Sequence, residues 1–197
     1  MIIHMRPAIS IFIVFTILTG ILYPCLVTVI AQSLFPHQAN GSLIRREDHT
    51  IGSSLIGQSF TSPKYFWGRV SATSPSPYNA ASSSGSNLGP TNVALTSAVQ
   101  DRVNALKQYD TTKGLVPVDM VTSSASGLDP HISPAAAEYQ VTRIAKSRNL
   151  SEEKLRDLVA QCTQGREFGL LGEPRVNVLE LNIALDKDKS SELPPNE

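Results

Sequence analysis

The sequence has 197 residues, with 17 basic and 17 acidic side chains and no formal net charge. This neutral balance, without a basic run, excludes a nucleic-acid surface, because neutralising phosphates requires clustered Lys and Arg. Setting aside an apolar N-terminal stretch leaves roughly 160 residues, enough for one domain with a core and too few for two. Cys25 lies inside the apolar stretch and Cys162 far along the remainder, so no disulfide framework is expected.

From Ala8 to Ala31 no side chain is charged. A helix of that length measures about 36 Å and crosses the hydrocarbon core of a bilayer with some tilt, its outer face against membrane lipid. Pro7 suits the first turn. Pro24 lies deep in the helix and is expected to kink it, freeing a carbonyl for another helix or a Thr hydroxyl. A cleaved signal peptide competes with this reading, since Val29-Ile30-Ala31 resembles a cleavage site. The apolar stretch is longer than the usual h-region of about 7–15 residues, which favours a retained anchor. Arg6 precedes the helix while Arg45 and Arg46 follow it, so the positive-inside rule leaves orientation open.

The organisation expected is α+β: a tail and transmembrane helix over 1–34, a polar linker over 35–52, one small mixed helix/strand domain over 53–186, and a disordered charged tail over 187–197. Residues 53–60 read as a short strand. Residues 61–91 have a linker's composition, yet they hold Tyr65, Phe66, Trp67, Arg69 and Tyr78, so an ordered loop packed on the domain is expected. Val99, Val103 and Leu106 predict a helix over about 93–108, and alternation predicts a strand over 115–123. Ser133-Pro134 opens a helix through Arg148, with Ala137, Val141 and Ile144 inward. Ser151 caps another, carrying Leu155, Leu158, Val159 and Cys162 on its apolar face and stopped by Gly165. Pro174–Asp186 is ambiguous between strand and helix and leans to helix.

Chemistry is sparse. There is no phosphate-binding P-loop, no Cys-x-x-Cys and no His-Glu-x-x-His. Asp129-Pro130-His131 sets a carboxylate beside an imidazole, as a metal or acid–base site requires, but a turn whose Asp accepts backbone N–H groups explains it better. Ser86 or Ser126 with His131 would make a membrane-anchored serine hydrolase, although no Gly-x-Ser-x-Gly elbow exposes either serine. Ser151-Glu152-Glu153-Lys154 matches Ser-x-x-Lys, and capping accounts for it. Trp67, Arg69, Tyr78 and Asn79 on the loop, and Gln140 and Arg143 on a helix face, are interface material, with a core role for Trp67 equally open.

Five strings carry a resemblance: GSSLIGQSF, KYFWGRVSAT, YNAASSSGSNLGPTN, VPVDMVTSSASGLDPHISPAAAEYQVTRIA and GEPRVNVLELNIALD. In this order, behind an N-terminal anchor, they resemble the C subunit of the bacterial Kdp potassium-transporting ATPase, the KdpC family, over nearly the whole chain. Val70 departs from the proline usual after Gly-Arg, and the tail beyond Asp186 lies outside the common pattern. The resemblance implies a non-catalytic accessory subunit in a Kdp complex with the channel-like KdpA, the P-type ATPase KdpB and the small peptide KdpF. The implied role supports assembly and raises the ATP affinity of KdpB, a catalytic chaperone; ATP is bound by that partner and potassium is the transported ion. It also implies a single-pass protein of the cytoplasmic membrane with a cytoplasmic N-terminus and an extracytoplasmic domain. Because the shared strings are polar, aromatic and loop-like, the domain is expected to cap the outer mouth of KdpA, with Trp67, Arg69, Asn79 and His131 near the contact. Gln58, Ser86, Asn87, Asp129, Gln140 and Arg143 complete the partner-contact candidates; no catalytic or metal-binding residue is expected.

Overall fold

The structure is a computed structural model and describes residues 2–46, 48–109 and 114–190. The chain falls into two compact units, Met1–Ser53 and Ser54–Glu197.

The first unit is dominated by one long apolar helix. α1 (Ile2–Ile17) runs into a π turn (Leu18–Leu22) and continues as α2 (Tyr23–Leu34). The stretch His4–Leu34, 31 residues with a mean hydropathy of 2.3, is long and apolar enough to cross a membrane. The disturbance expected at Pro24 takes the form of the π turn. Proline has no N–H to return to the preceding turn, and just before it Tyr23 N–H reaches back five residues to Leu18 O. The hydroxyls of Thr16, Thr19, Thr28 and Ser33 each donate to the carbonyl four residues earlier, at 2.7 Å. These four hydroxyls are thereby satisfied within the helix.

The polar stretch expected as a linker is regular. α3 (Pro36–Ala39) leads into an antiparallel hairpin of β1 (Leu43–Arg46) and β2 (His49–Ser53), with a bulge between Ile44 and Arg45. The strand expected over 53–60 therefore ends where that expectation began it. Its β-rich residues mark the hairpin's exit, while 54–60 is turn and loop, with Gly57 N–H donating to Leu128 O at 2.8 Å.

The second unit packs helices on a small antiparallel sheet of order β3–β5–β4, built from β3 (His131–Ile132), β4 (Thr163–Gln164) and β5 (Arg175–Asn177). α4 (Val93–Tyr109) and the one-turn α5 (Val118–Val121) precede it in sequence. α6 (Pro134–Arg148), α7 (Glu152–Cys162) and α8 (Val178–Ser190) carry the core. Ser133 Oγ accepts Ala136 N–H at 3.0 Å and Ser151 Oγ accepts Lys154 N–H at 3.2 Å, so both expected caps form. α6 closes on Asn149 in the left-handed conformation, which Asn tolerates. Val141 and Ile144 of α6, Leu155 and Val159 of α7, and Leu181 and Leu185 of α8 close around Phe66 and Val176. Val178, Leu181 and Leu185 place that face of α8 inward at helical spacing.

Four further expectations change. Within 115–123, Val118–Val121 form a helical turn where a strand was expected: Pro117 is the extended residue before it, and Asp119 Oδ2 accepts Ser133 N–H at 2.7 Å. α7 stops at Cys162 because Thr163 enters β4, two residues before Gly165. Pro174–Asp186 is strand and then helix. Asn177 ends β5, and its Oδ1 accepts the N–H groups of Leu179 and Glu180, capping α8 from within the strand. α8 then continues to Ser190, past the expected start of the tail at 187; residues 191–197 lie outside the described residues.

Leu181→Ala is expected to cost about 2–5 kcal/mol by opening a core cavity. Ser133→Ala should cost only about 0.5–2 kcal/mol, the worth of one N-cap. Thermal denaturation of the full chain in detergent checks the order; equal losses would mean that α6 does not depend on the core assigned to it.

Candidate functional site

The Ser62–Arg69 strip lies against α6 and α8, and helix side chains meet its backbone. Asn182 of α8 takes both polar groups of Phe66: Oδ1 accepts its N–H at 2.9 Å and Nδ2 donates to its carbonyl at 3.0 Å. Gln140 of α6 does the same for Trp67, at 2.8 and 3.1 Å. Arg143 donates to the carbonyls of Pro63 and Tyr65 at 2.7 and 3.0 Å, and Arg148 Nε to that of Lys64 at 2.7 Å. The guanidiniums also stack, Arg143 4.0 Å from the Trp67 ring centroid and Arg148 4.7 Å from that of Tyr65. Asp186 completes the arrangement, accepting from Arg148 at 2.7 Å and from Tyr65 Oη at 3.1 Å.

Beyond the strip, the loop folds against residues 123–131. Arg69 Nη1 pairs with Asp129 Oδ2 at 3.0 Å, and Nη2 donates to Ser123 O at 3.3 Å. The other carboxylate oxygen, Asp129 Oδ1, accepts His131 N–H at 3.0 Å and lies 3.3 Å from His131 Nδ1. Burial alone would raise the Asp129 pKa, but the hydrogen bonds from His131 and the pairing with Arg69 outweigh it and hold the carboxyl below its ordinary value. Tyr78 donates its hydroxyl to Arg69 O. Its pKa is pushed up to about 12, chiefly by burial and further by the charge of Asp129, with Arg69 opposing, so it remains a donor. Two glycines make room for this ring: a Cβ on Gly57 would run into Tyr78 Cε1, and one on Gly68 would meet its hydroxyl at 2.8 Å.

Two hollows flank the loop. One, of about 360 Å³, is lined by Phe60, Trp67, Val70, Tyr78, Leu106 and Met120, with Arg69 and Arg102 at its polar edge. The other, of about 270 Å³, is bordered by Arg69, Asp119, Asp129, His131 and Arg175. Among the described residues no cluster of three or more His, Cys, Asp or Glu is placed to hold a metal ion.

The sequence-derived candidates separate into two groups. Gln140 and Arg143, expected on an interface, are 0% and 3% exposed and face inward. Trp67 stands between the readings offered for it: it packs on the core, donates Nε1–H to Ser62 O at 2.9 Å, meets Tyr109 edge-on and lines the larger hollow. Gln58 lines that hollow too. Arg69, Asp129 and His131 come together as one half-buried cluster, with Asp129 in the turn-capping role expected of it. Asn79 holds its own turn, accepting Ala81 N–H and donating to Ser74 O, while Ser86 and Asn87 are exposed. Ser126, the other serine weighed as a nucleophile, accepts Leu128 N–H at its hydroxyl. Arg148, Asn177 and Asn182 escaped sequence reasoning. Their signal was a polar side chain at an inward position of a helix or strand.

A profile of the family described as K+-transporting ATPase, c chain, matches residues 5–187. The chain is 63% identical over 186 residues to the "Potassium-transporting ATPase KdpC subunit" of Herpetosiphon aurantiacus, covering 94% of this chain and 96% of the relative. Proteins of the same name from Methylococcus capsulatus and Burkholderia ambifaria are 59% and 60% identical, covering 94% and 92% of this chain and 98% and 94% of theirs. The chain belongs to the KdpC family. In this KdpC-family chain the loop strings that carried the resemblance are the segments clamped by α6 and α8 and the turn around Asp129.

Gln140→Leu should destabilise the chain by about 1–3 kcal/mol for each group of Trp67 left buried and unpaired. A comparable Ser86→Ala change should leave the melting temperature in place. Asp129→Asn tests the pairing through pH. Because the folded carboxyl titrates below the unfolded one, its stabilisation is present above about pH 3.9 and is lost as pH falls through the folded value. The melting-temperature gap between parent and variant should be largest near neutrality and shrink in acid; a gap constant with pH would deny the pairing.

Proposed function

We propose that this chain is the non-catalytic accessory subunit of an ATP-driven potassium import complex, beside the channel-like KdpA, the P-type ATPase KdpB and the small peptide KdpF. In this reading it supports assembly and raises the ATP affinity of KdpB; ATP belongs to that partner, and potassium is cargo. The observation that carries the proposal is the family match running from residue 5 to residue 187. The apolar helix His4–Leu34 supports a membrane anchor.

The anchor is retained, with residues 1–34 in and before the cytoplasmic membrane, the N-terminus cytoplasmic and the 53–186 domain outside. An extracytoplasmic domain does not touch ATP held in the cytoplasm. Any effect on ATP affinity is then a coupling free energy carried through the membrane helices, and the π turn ahead of Pro24 is the irregular point of this chain's helix. The domain sits on the outer face of KdpA. Arg69, Asn79 and His131 remain available to that contact, whereas Gln140 and Arg143 hold the loop from behind.

The test is to isolate the full chain through an affinity tag in mild detergent and identify what accompanies it. KdpB and KdpA should co-purify, and deleting the 53–186 domain should abolish growth at limiting potassium. Recovery of the chain without either of them, with growth unaffected by the deletion, would sink the proposal.

A further inference from the structure

The turn joining β4 to β5 is braced at its base and apolar at its tip. Glu167 N–H donates to Leu171 O and Leu171 N–H to Glu167 O, both at 2.9 Å, and Gly169 N–H donates to Arg166 O at 3.0 Å. Arg166 pairs with Glu173 and Arg175 with Glu167, each at 2.7 Å. On this frame Phe168 is 94% exposed, Leu170 80% and Leu171 61%. Phe168 also holds φ at +53°, a conformation unusual for a bulky residue. A turn that merely connects two strands is ordinarily polar. Three large apolar side chains held out on an ordered turn mark a contact surface.

Charge decides between a bilayer and a protein as the occupant. Turns and helices that enter lipid are drawn there by basic residues acting on anionic headgroups. Here the two arginines flanking the tip are each matched by a glutamate, so the rim is neutral and offers the headgroups little. A rigid apolar tip with a self-paired rim suits an apolar recess in a protein, where unpaired charge would be costly to desolvate. Pre-ordering of the turn lowers the entropy lost on docking. A buried phenyl ring alone removes on the order of 150–250 Å² from water.

We infer that the Phe168–Leu171 tip is a docking knob that inserts into an apolar recess on another polypeptide of the potassium-transporting complex. Naming the partner rests on the proposed function above; the knob itself rests on the turn. The experiment uses the full complex in native membranes, with p-benzoylphenylalanine replacing Phe168. Irradiation should join this chain to one other polypeptide of the complex, identified by mass spectrometry. In parallel, a variant carrying Phe168→Ser, Leu170→Ser and Leu171→Ser should keep the parental melting temperature, yet recover that polypeptide at least about tenfold less in a pull-down. A crosslink to phospholipid or to nothing, or full recovery by the triple variant, overturns the knob while the parental chain still co-purifies with its partners. A parental chain that recovers no partner removes both the accessory-subunit reading and this inference.

Discussion

Five consecutive residues, Pro63–Trp67, run along two helices without a neighbouring strand, and side chains do what a strand would otherwise do. Seven backbone–side-chain hydrogen bonds from Asn182, Gln140, Arg143 and Arg148 meet this segment's carbonyl and N–H groups. A buried peptide group without a partner costs about 1–3 kcal/mol, so a loop can enter a core only where such donors and acceptors already wait. Phe66 is the reason for entering: its ring is fully buried among the helices, and the carboxamides and guanidiniums on either side make that burial tolerable. The loops behind it depend on this anchoring, because Gly68, Arg69 and the Tyr78 contact follow directly from the clamped strip.

The same constraint explains which polar residues misled and which did not. Gln140 and Arg143 sit on the loop-facing side of α6, at positions where a helix of a simpler core would carry Leu. From composition, a Gln and an Arg near a Trp suggest a partner surface; in the fold the partner is the chain's own loop. The turn-capping reading of Asp129 holds because its chemistry is local: an Asp carboxylate can accept the N–H two residues on without help from distant residues, as it does from His131. Helix starts were legible for the same reason, since Ser133 and Ser151 act on N–H groups three residues away. α4 was legible from its apolar spacing.

Short strands and their boundaries were not legible, and the cause is physical. β3 and β4 are two residues long, so no alternation can announce them; they exist because β5 lies between them. The 115–123 segment alternates, yet Pro117 and the demand of Ser133 N–H for Asp119 favour a helical turn. Asn177 shows the limit most clearly, for one side chain both ends a strand and caps a helix. The ordered loop was foreseeable from its aromatics, but the residues that hold it, Asn182 and Arg148, lie over a hundred and about eighty positions away in sequence.

How the arginines are used bears on how such a chain recognises anything else. Arg69, Arg143, Arg148, Arg156, Arg166 and Arg175 all have acceptors within the chain, five of them carboxylates. Little charge is left unmatched on these side chains to steer a partner from a distance, and association rates without steering are modest. For a freely diffusing protein that would be a handicap. A chain anchored in the same membrane as its partners meets them at a high effective concentration, so it loses little by lacking a field. Its affinity can then come from shape and apolar area, which resist salt. Within the proposed function, self-paired charge and a membrane anchor are two parts of one arrangement suited to assembly that lasts.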